Sequence, residues 1–166
     1  MSHKVYTMMR LTAFSCLVLV FALSATWATI NHYSGSAVVH KGGKSGFFLS
    51  NGKDKINIAI EKNSLDAYMD EQGINQVTIW AELEEELVEQ GNGSSFYRLK
   101  FTFGPSGAYF DPPLILTLSG KYAAEDTKIS LYDENGEAIE SSRQGSADVI
   151  KFYIPHFSSY YYDGYY

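Results

Sequence analysis

The chain has 166 residues, of which 45% are hydrophobic, so it is long enough to bury the core of one domain. Residues 1–28 contain Lys4 and Arg10 but no acid, so the remainder carries 11 basic against 19 acidic residues, a net charge of −8. A chain this acidic, with no basic stripe, is repelled by phosphate, which excludes nucleic acid as a partner.

Residues 1–28 have the three parts of a secretory signal peptide. A polar start with two basic residues precedes an apolar run over residues 11–23, and Thr26-Trp27-Ala28 then supplies small residues three before and one before a cut. The apolar run is shorter than the roughly 20 residues that a membrane-spanning helix needs. We therefore predict cleavage after Ala28 and a secreted or periplasmic protein with no stable membrane span. Retention of this segment as an uncleaved anchor is the alternative.

Metal and cofactor chemistry has little support in the sequence. Cys16 is the only cysteine, and it lies inside the apolar run, so residues 29–166 contain no thiol and no disulfide. Three histidines remain, His32, His40 and His156, and no two of them have a spacing that would place both on one face. We expect no zinc site and no cofactor.

Apolar residues alternate with polar ones through most of residues 29–166, the period of half-buried β-strands. Such runs cover residues 56–60, 77–83, 97–103, 114–118, 129–131 and 149–154. Turn-forming residues separate them, and Asp133-Glu134-Asn135-Gly136 is a strong hairpin signal. The pattern predicts a single all-β domain over residues 29–166, either a sandwich or a barrel.

Residues 80–90 (WAELEEELVEQ) fit a helix, yet they also continue the alternation that begins at Val77. We predict a strand to about residue 84 and leave the remainder open. The segment contains five glutamates, Glu82, Glu84, Glu85, Glu86 and Glu89. Neighbouring carboxylates on a strand point to opposite faces, so few of them can converge on a calcium ion. We expect a solvated, self-repelling surface.

Three motifs occur in a recognisable order. They are Gly42-Gly43 with the apolar segments 46–49 and 55–60 and then Ser64-Leu65; Gly104-Pro105-Ser106-Gly107 with Phe110-Asp111-Pro112-Pro113; and His156-Phe157-Ser158-Ser159-Tyr160. Together they resemble the ZU-five domain, the β-sandwich module of ankyrins, netrin receptors and several death-domain proteins. The resemblance covers about residues 36–162, and with it we predict an antiparallel β-sandwich of roughly seven to nine strands. The proline and glycine of the family's Pro-x-Gly-Ala-Leu are absent at residues 61–65, so the first motif matches least well.

The resemblance implies one piece of chemistry, because some members of the family cleave themselves between the Phe and the Ser of His-Phe-Ser. Here the Ser158 hydroxyl would attack the Phe157 carbonyl, with His156 as base or orienting group, and water would hydrolyse the resulting ester. The alternative is that the tripeptide opens the last strand, with Phe157 in the core. Cleavage would release only residues 158–166.

Five tyrosines lie within the last seven residues, 160–166. Tyrosine offers a large rigid contact area with a polar tip, which suits sugar stacking and other surface contacts. The tail therefore predicts either a glycan-binding patch or a last strand completed by Tyr160 and Tyr162, followed by a frayed end.

The sequence contains neither a nucleophile elbow nor a Gly-rich phosphate loop. Our leading hypothesis is an exported, non-catalytic β-sandwich module that acts through contacts with a protein or a surface glycan. Two alternatives remain: a self-processing domain cleaved between Phe157 and Ser158, and a carbohydrate-binding module that uses the C-terminal tyrosines.

Overall fold

A computed structural model describes residues 29–89, 95–123, 130–143 and 148–164. The predicted signal peptide, residues 1–28, lies outside the described residues. The described part contains ten strands and two short helices, in this order: β1 (Thr29–His40), β2 (Ser45–Asn51), β3 (Lys55–Ile60), α1 (Asp66–Gln72), β4 (Gln76–Glu89), β5 (Ser95–Gly104), β6 (Tyr109–Ser119), a 3-10 helix (Gly120–Tyr122), β7 (Leu131–Tyr132), β8 (Ser141–Arg143), β9 (Val149–His156) and β10 (Ser159–Gly164).

The strands form two antiparallel sheets with a shared apolar core. The first sheet has the order β1-β4-β5-β10-β7, and the second has the order β2-β3-β6-β9-β8. The prediction of an all-β antiparallel sandwich is confirmed. The described residues contain ten strands rather than the predicted seven to nine, because β1 and β8 at the sheet edges were not expected.

Strand β4 shows how the alternation builds the core. Val77, Ile79, Ala81 and Leu83 are buried, while the residues between them are exposed. The strand runs to Glu89, beyond the predicted end near residue 84, because its pairing with β1 continues to Leu87 and its pairing with β5 continues to Glu89. Because β4 pairs with a strand on each side, this segment forms a strand, although its composition also allows a helix.

Two of the outward glutamates of β4 face basic residues on β5. The register places Glu84 opposite Lys100 and Glu86 opposite Arg98, with N···O distances of 3.5 Å and 3.1 Å. Opposite charges directly across a strand pair are mildly stabilising. The expected self-repulsion of this surface is therefore offset by cross-strand ion pairs.

Helix α1 lies between β3 and β4 in the chain. The helix and the turn before it form hydrogen bonds with the turn after β1 and with β6. The Asp66 carboxylate accepts a hydrogen bond from the backbone N–H of Gly42 at 2.7 Å, and Ser64 Oγ donates to the Pro112 carbonyl at 2.5 Å. Met69 is the buried residue of the helix. With seven residues α1 is short, and the described ranges contain no helix long and apolar enough to cross a membrane.

The hairpin predicted at residues 133–136 is confirmed. Asp133 Oδ1 accepts hydrogen bonds from the backbone N–H groups of Asn135 at 2.9 Å and Glu137 at 2.8 Å, and Gly136 has a φ of 80°. These bonds hold the carboxylate in its charged form, so the pKa of Asp133 lies below its usual value, with the Glu137 N–H as the main cause. The turn closes by pairing Tyr132 with Ala138.

Candidate functional site

The tripeptide His156-Phe157-Ser158 lies where the chain crosses from one sheet to the other. Strand β9 ends at His156 in the second sheet, and β10 begins at Ser159 in the first sheet. Phe157 and Ser158 are the two residues of this connection. The peptide bond that the ZU-five resemblance marks for cleavage is therefore the crossing point between the sheets.

Phe157 packs into the core at this crossing. Its ring stacks against Phe103 with centroids 5.9 Å apart and an interplanar angle of 3°, and it meets Phe110 edge-on at 4.6 Å. Its backbone N–H donates to the Ala108 carbonyl at 2.8 Å. These contacts fix the backbone on the N-terminal side of Ser158.

The side chains of His156 and Ser158, which were predicted to act together in self-cleavage, do not form a hydrogen bond with each other. His156 Nδ1 lies 3.4 Å from Tyr160 Oη, and the same hydroxyl donates to the His156 carbonyl at 2.6 Å. Ser158 Oγ is buried, and within the described residues it has no hydrogen-bond partner. His156 is therefore directed to Tyr160, and no hydrogen bond links it to the predicted nucleophile.

The C-terminal tyrosines divide between the core and the surface. Tyr160 and Tyr162 are buried, whereas Tyr161 is 44% exposed. Burial raises the pKa of the Tyr160 hydroxyl. The interpretation that Tyr160 and Tyr162 complete the last strand is confirmed, and Tyr165 and Tyr166 lie outside the described residues.

A cleft of about 300 Å³ opens beside Ser158 on the outer face of the first sheet, the face directed away from the second sheet. We call it the Trp80 cleft. Its aromatic lining is Trp80, Phe103 and Phe157, and its polar lining is Thr102, Ser106, Glu134, Ser158 and Ser159. Four separate parts of the chain contribute, since strand β4, strand β5 with the turn after it, the hairpin after β7 and the start of β10 meet there. Sequence reasoning identified only Ser158. The usable signal for Trp80 was its outward position on an alternating strand.

The Trp80 side chain packs at a defined position on this face, against the backbone of β5. The register of β4 and β5 places Trp80 opposite Gly104, and a Cβ added at Gly104 would overlap the indole ring. The indole therefore lies against bare backbone, an approach that only glycine permits. The side chain remains 37% exposed. Its ring is held at one position and still presents surface to solvent.

Two more clefts lie on the same outer face. One, of about 390 Å³, is lined by Ser34, Ser36, Glu82 and again Trp80. The other, of about 120 Å³, is lined in part by Tyr161 and by the aliphatic and charged residues of neighbouring strands. Trp80 thus separates two clefts and contributes to both.

A second buried polar group, Glu85, lies between the sheets and has a full set of partners. It is 2% exposed, and it accepts hydrogen bonds from Lys121 Nζ at 2.9 Å and from Tyr122 Oη. Lys121 Nζ also lies 4.2 Å from the ring centroid of Tyr97. The expectation that all five glutamates form a solvated surface is wrong for Glu85, because its position on β4 points inward.

The ionisation of this network follows from its contacts. Burial pulls the pKa of Lys121 down, but the hydrogen bond and charge of Glu85 outweigh burial, so the pKa of Lys121 is raised. The pKa of Tyr122 is also raised, first by burial and then by its hydrogen bond to Glu85. Lys121 is therefore a cation and Tyr122 a neutral donor throughout the physiological range.

Within the described ranges, no group of three or more His, Cys, Asp or Glu side chains is arranged to hold a metal ion. Searches with this chain against protein-family models, curated proteins and solved structures gave no match. The ZU-five resemblance therefore rests on the motifs described above.

Proposed function

We propose that this chain is an exported, non-catalytic recognition module of ZU-five-like type that contacts cell-surface material through the outer face of the first sheet. The observation that carries the proposal is Trp80, an aromatic ring seated on Gly104 and open to two adjoining clefts. Tryptophan in such positions is the residue type most enriched among those that dominate binding energy.

Further aromatic residues on the same face support this surface. Tyr161 of β10 pairs with Tyr132 of β7, and both side chains are exposed. With Trp80 they place three exposed aromatic rings on one sheet face. Exposed large apolar groups that share a face mark interaction sites more often than scattered ones do.

The proposal is tested by adding the purified protein to intact cells of the producing organism and measuring the bound fraction. Trp80→Ala is expected to lower the apparent affinity about tenfold, the effect of a lost tryptophan contact. Phe48→Ala is the matched control, because Phe48 is a 50% exposed aromatic on β2 of the second sheet. Wild-type protein that does not bind, or equal binding by all three proteins, would contradict the proposal. Turnover of a substrate in a broad hydrolase screen would contradict its non-catalytic part.

A self-processing domain is the second candidate. Two observations favour it: the Phe157-Ser158 bond is the crossing between the sheets, and Ser158 Oγ is buried without a hydrogen-bond partner in the described part of the chain. The test is the intact mass of the protein recovered from the exporting cell. A chain that ends at Phe157, and that Ser158→Ala restores to full length, would establish cleavage. A mass for residues 29–166 would eliminate it, and a mass that starts at Met1 would contradict cleavage of the signal peptide.

A further inference from the structure

The lining of the Trp80 cleft is chemically mixed in a way that narrows the class of ligand. The apolar lining is the indole ring of Trp80 with Phe103 and Phe157, and the polar lining includes the hydroxyl residues Thr102, Ser106 and Ser159 and the carboxylate of Glu134. An apolar peptide side chain or an acyl chain would leave most of these polar groups without partners on burial, which costs free energy. A ligand that fits must therefore combine an apolar face with a dense set of hydroxyl groups.

A pyranose ring has this combination. One face of the ring presents C–H bonds that pack against an aromatic face, where the negative quadrupole attracts their partial positive charge. The hydroxyls at its edge both donate and accept, so they match serine and threonine hydroxyls, and they donate to a carboxylate. The volume of about 300 Å³ lies at the lower end of the range for small-molecule sites.

The packing of Trp80 on Gly104 preorganises the cleft for binding. Because a side chain at Gly104 would overlap the indole, the ring can settle onto the β5 backbone, and binding need not immobilise a free rotor. The turn that carries Glu134 is likewise fixed, since the Asp133 carboxylate binds two backbone N–H groups of that hairpin. Both sides of the cleft are therefore held in place before a ligand arrives.

The negative charge around the cleft favours uncharged sugars over anionic ones. Glu134 lines the Trp80 cleft, and Glu82 lines the adjoining cleft on the other side of Trp80. The whole of residues 29–166 carries a net charge of −8. Sulfated, sialylated and uronic-acid glycans are repelled by such a surface, whereas uncharged hexose and N-acetylhexosamine units are not.

On these grounds, and resting on the proposed function, we infer that the Trp80 cleft binds an uncharged sugar unit of a glycan. The indole is the stacking platform, and Ser34 and Ser36 in the adjoining cleft are placed to contact a neighbouring unit of the same glycan. This site differs from one built on the C-terminal tyrosines, because Tyr161 lines a different cleft of the same face.

The test is binding of the full chain to a printed array that holds gluco-, manno-, galacto- and N-acetylglucosamine oligosaccharides beside heparin, alginate and polysialic acid. We expect at least one uncharged class to bind and the three anionic glycans to stay blank. Trp80→Ala is expected to reduce the binding at least tenfold. Ser106→Trp tests the same cleft without touching the core, because Ser106 lies in an exposed turn, and it is expected to block binding equally.

Lys53→Trp is the matched control for the added ring, since Lys53 lies in the exposed turn between β2 and β3 of the second sheet. It should bind as wild type does. The inference is overturned if no uncharged glycan binds, if only anionic glycans bind, or if Tyr161→Ala abolishes binding while Trp80→Ala and Ser106→Trp do not. Cell binding that still depends on Trp80 while the array is blank would leave the proposed function standing and remove the sugar assignment alone.

Discussion

Glu85 and Ser158 are two residues of the same sandwich that bury polar atoms, and their surroundings differ completely. Glu85 lies on β4, five positions after Trp80 and so roughly 17 Å further along the strand. Its carboxylate accepts hydrogen bonds from Lys121 and Tyr122. Ser158 lines the Trp80 cleft, and its Oγ has no hydrogen-bond partner in the described part of the chain.

The Glu85 carboxylate stabilises the fold through its hydrogen bonds, whereas the Ser158 hydroxyl does not. A satisfied carboxylate holds the 3-10 helix after β6 against β4, and its removal would take the charged partner at 2.9 Å away from Lys121. An unsatisfied buried hydroxyl costs stability and is uncommon in native proteins. Groups that cost stability are expected mainly at functional sites. We therefore look for a ligand or a reaction at Ser158 and the Trp80 cleft rather than at Glu85.

The largest effect is expected for Glu85→Ala. Removal of the carboxylate takes the Glu85 acceptor away from Lys121 Nζ and Tyr122 Oη, which should cost about 2–3 kcal/mol of unfolding free energy, less than the roughly 3–5 kcal/mol of a fully buried pair because Lys121 is partly exposed. Urea denaturation measures this. Glu84→Ala is the matched control, since its ion pair with Lys100 is exposed, and it should cost no more than about 0.5 kcal/mol. Equal losses would show that Glu85 does not hold the fold.

The same network predicts a loss of stability at alkaline pH. The folded-state pKa values of Lys121 and Tyr122 are raised, so their contribution is fully present below their unfolded values near 10 and is lost as the pH rises through the folded values. Urea midpoints measured from pH 8 to 11 should stay level up to about pH 10 and fall above it, and they should fall less in Glu85→Ala. A variant that follows the wild-type curve in parallel would contradict the assignment.

Ser158→Ala is expected to act in the opposite direction. Loss of a hydroxyl without a hydrogen-bond partner removes its desolvation cost, so the variant should gain about 1 kcal/mol, or about 3 °C in melting temperature. Ser159→Ala, at the half-buried neighbouring position, should change stability by less than about 0.5 kcal/mol. A destabilised Ser158→Ala variant would mean that the hydroxyl is bonded in solution, and the comparison with Glu85 would fail.

The smallest effect is local and concerns the hairpin that carries Glu134. The pKa of Asp133 is lowered, so its contribution is present above the usual value of 3.8 and is lost as the pH falls through the lower folded value. Amide chemical shifts of Asn135 and Glu137 should stay native at pH 4 and move below it. Asp133→Asn should remove this titration. Shifts that move only with global unfolding would show that the carboxylate does not hold the turn.

Much of the fold was predictable because strand alternation is a local property. The runs at residues 56–60, 77–83, 97–103, 114–118 and 149–154 all lie within observed strands. Strand β1 was missed because Gly35 and the serines beside it weaken its apolar pattern, although it pairs with β4 over twelve positions. Its formation depends on a long neighbour that is remote in sequence, which no local pattern contains.

The site was less predictable than the fold. The motif His156-Phe157-Ser158 directed attention to the correct crossing between the sheets, but it suggested His156 as a partner for Ser158, whereas the ring of His156 lies near Tyr160. Trp80 and Glu134 come from β4 and from the hairpin after β7, and nothing in their local sequence links them to Ser158. A cleft formed by separate strands has no signature in any one of them.

The sequence by itself determined which side chains of each strand point inward, because the period of two is set by backbone geometry. Once the strand is known to continue to Glu89, the same rule places Glu85 on the same side as Val77 and Leu83. Only the tertiary structure decided that Lys121 and Tyr122 lie within reach of that carboxylate, and that a glycine lies beneath Trp80. These contacts depend on how strands pair and sheets pack, which is settled by the free energy of the whole core rather than by any one segment.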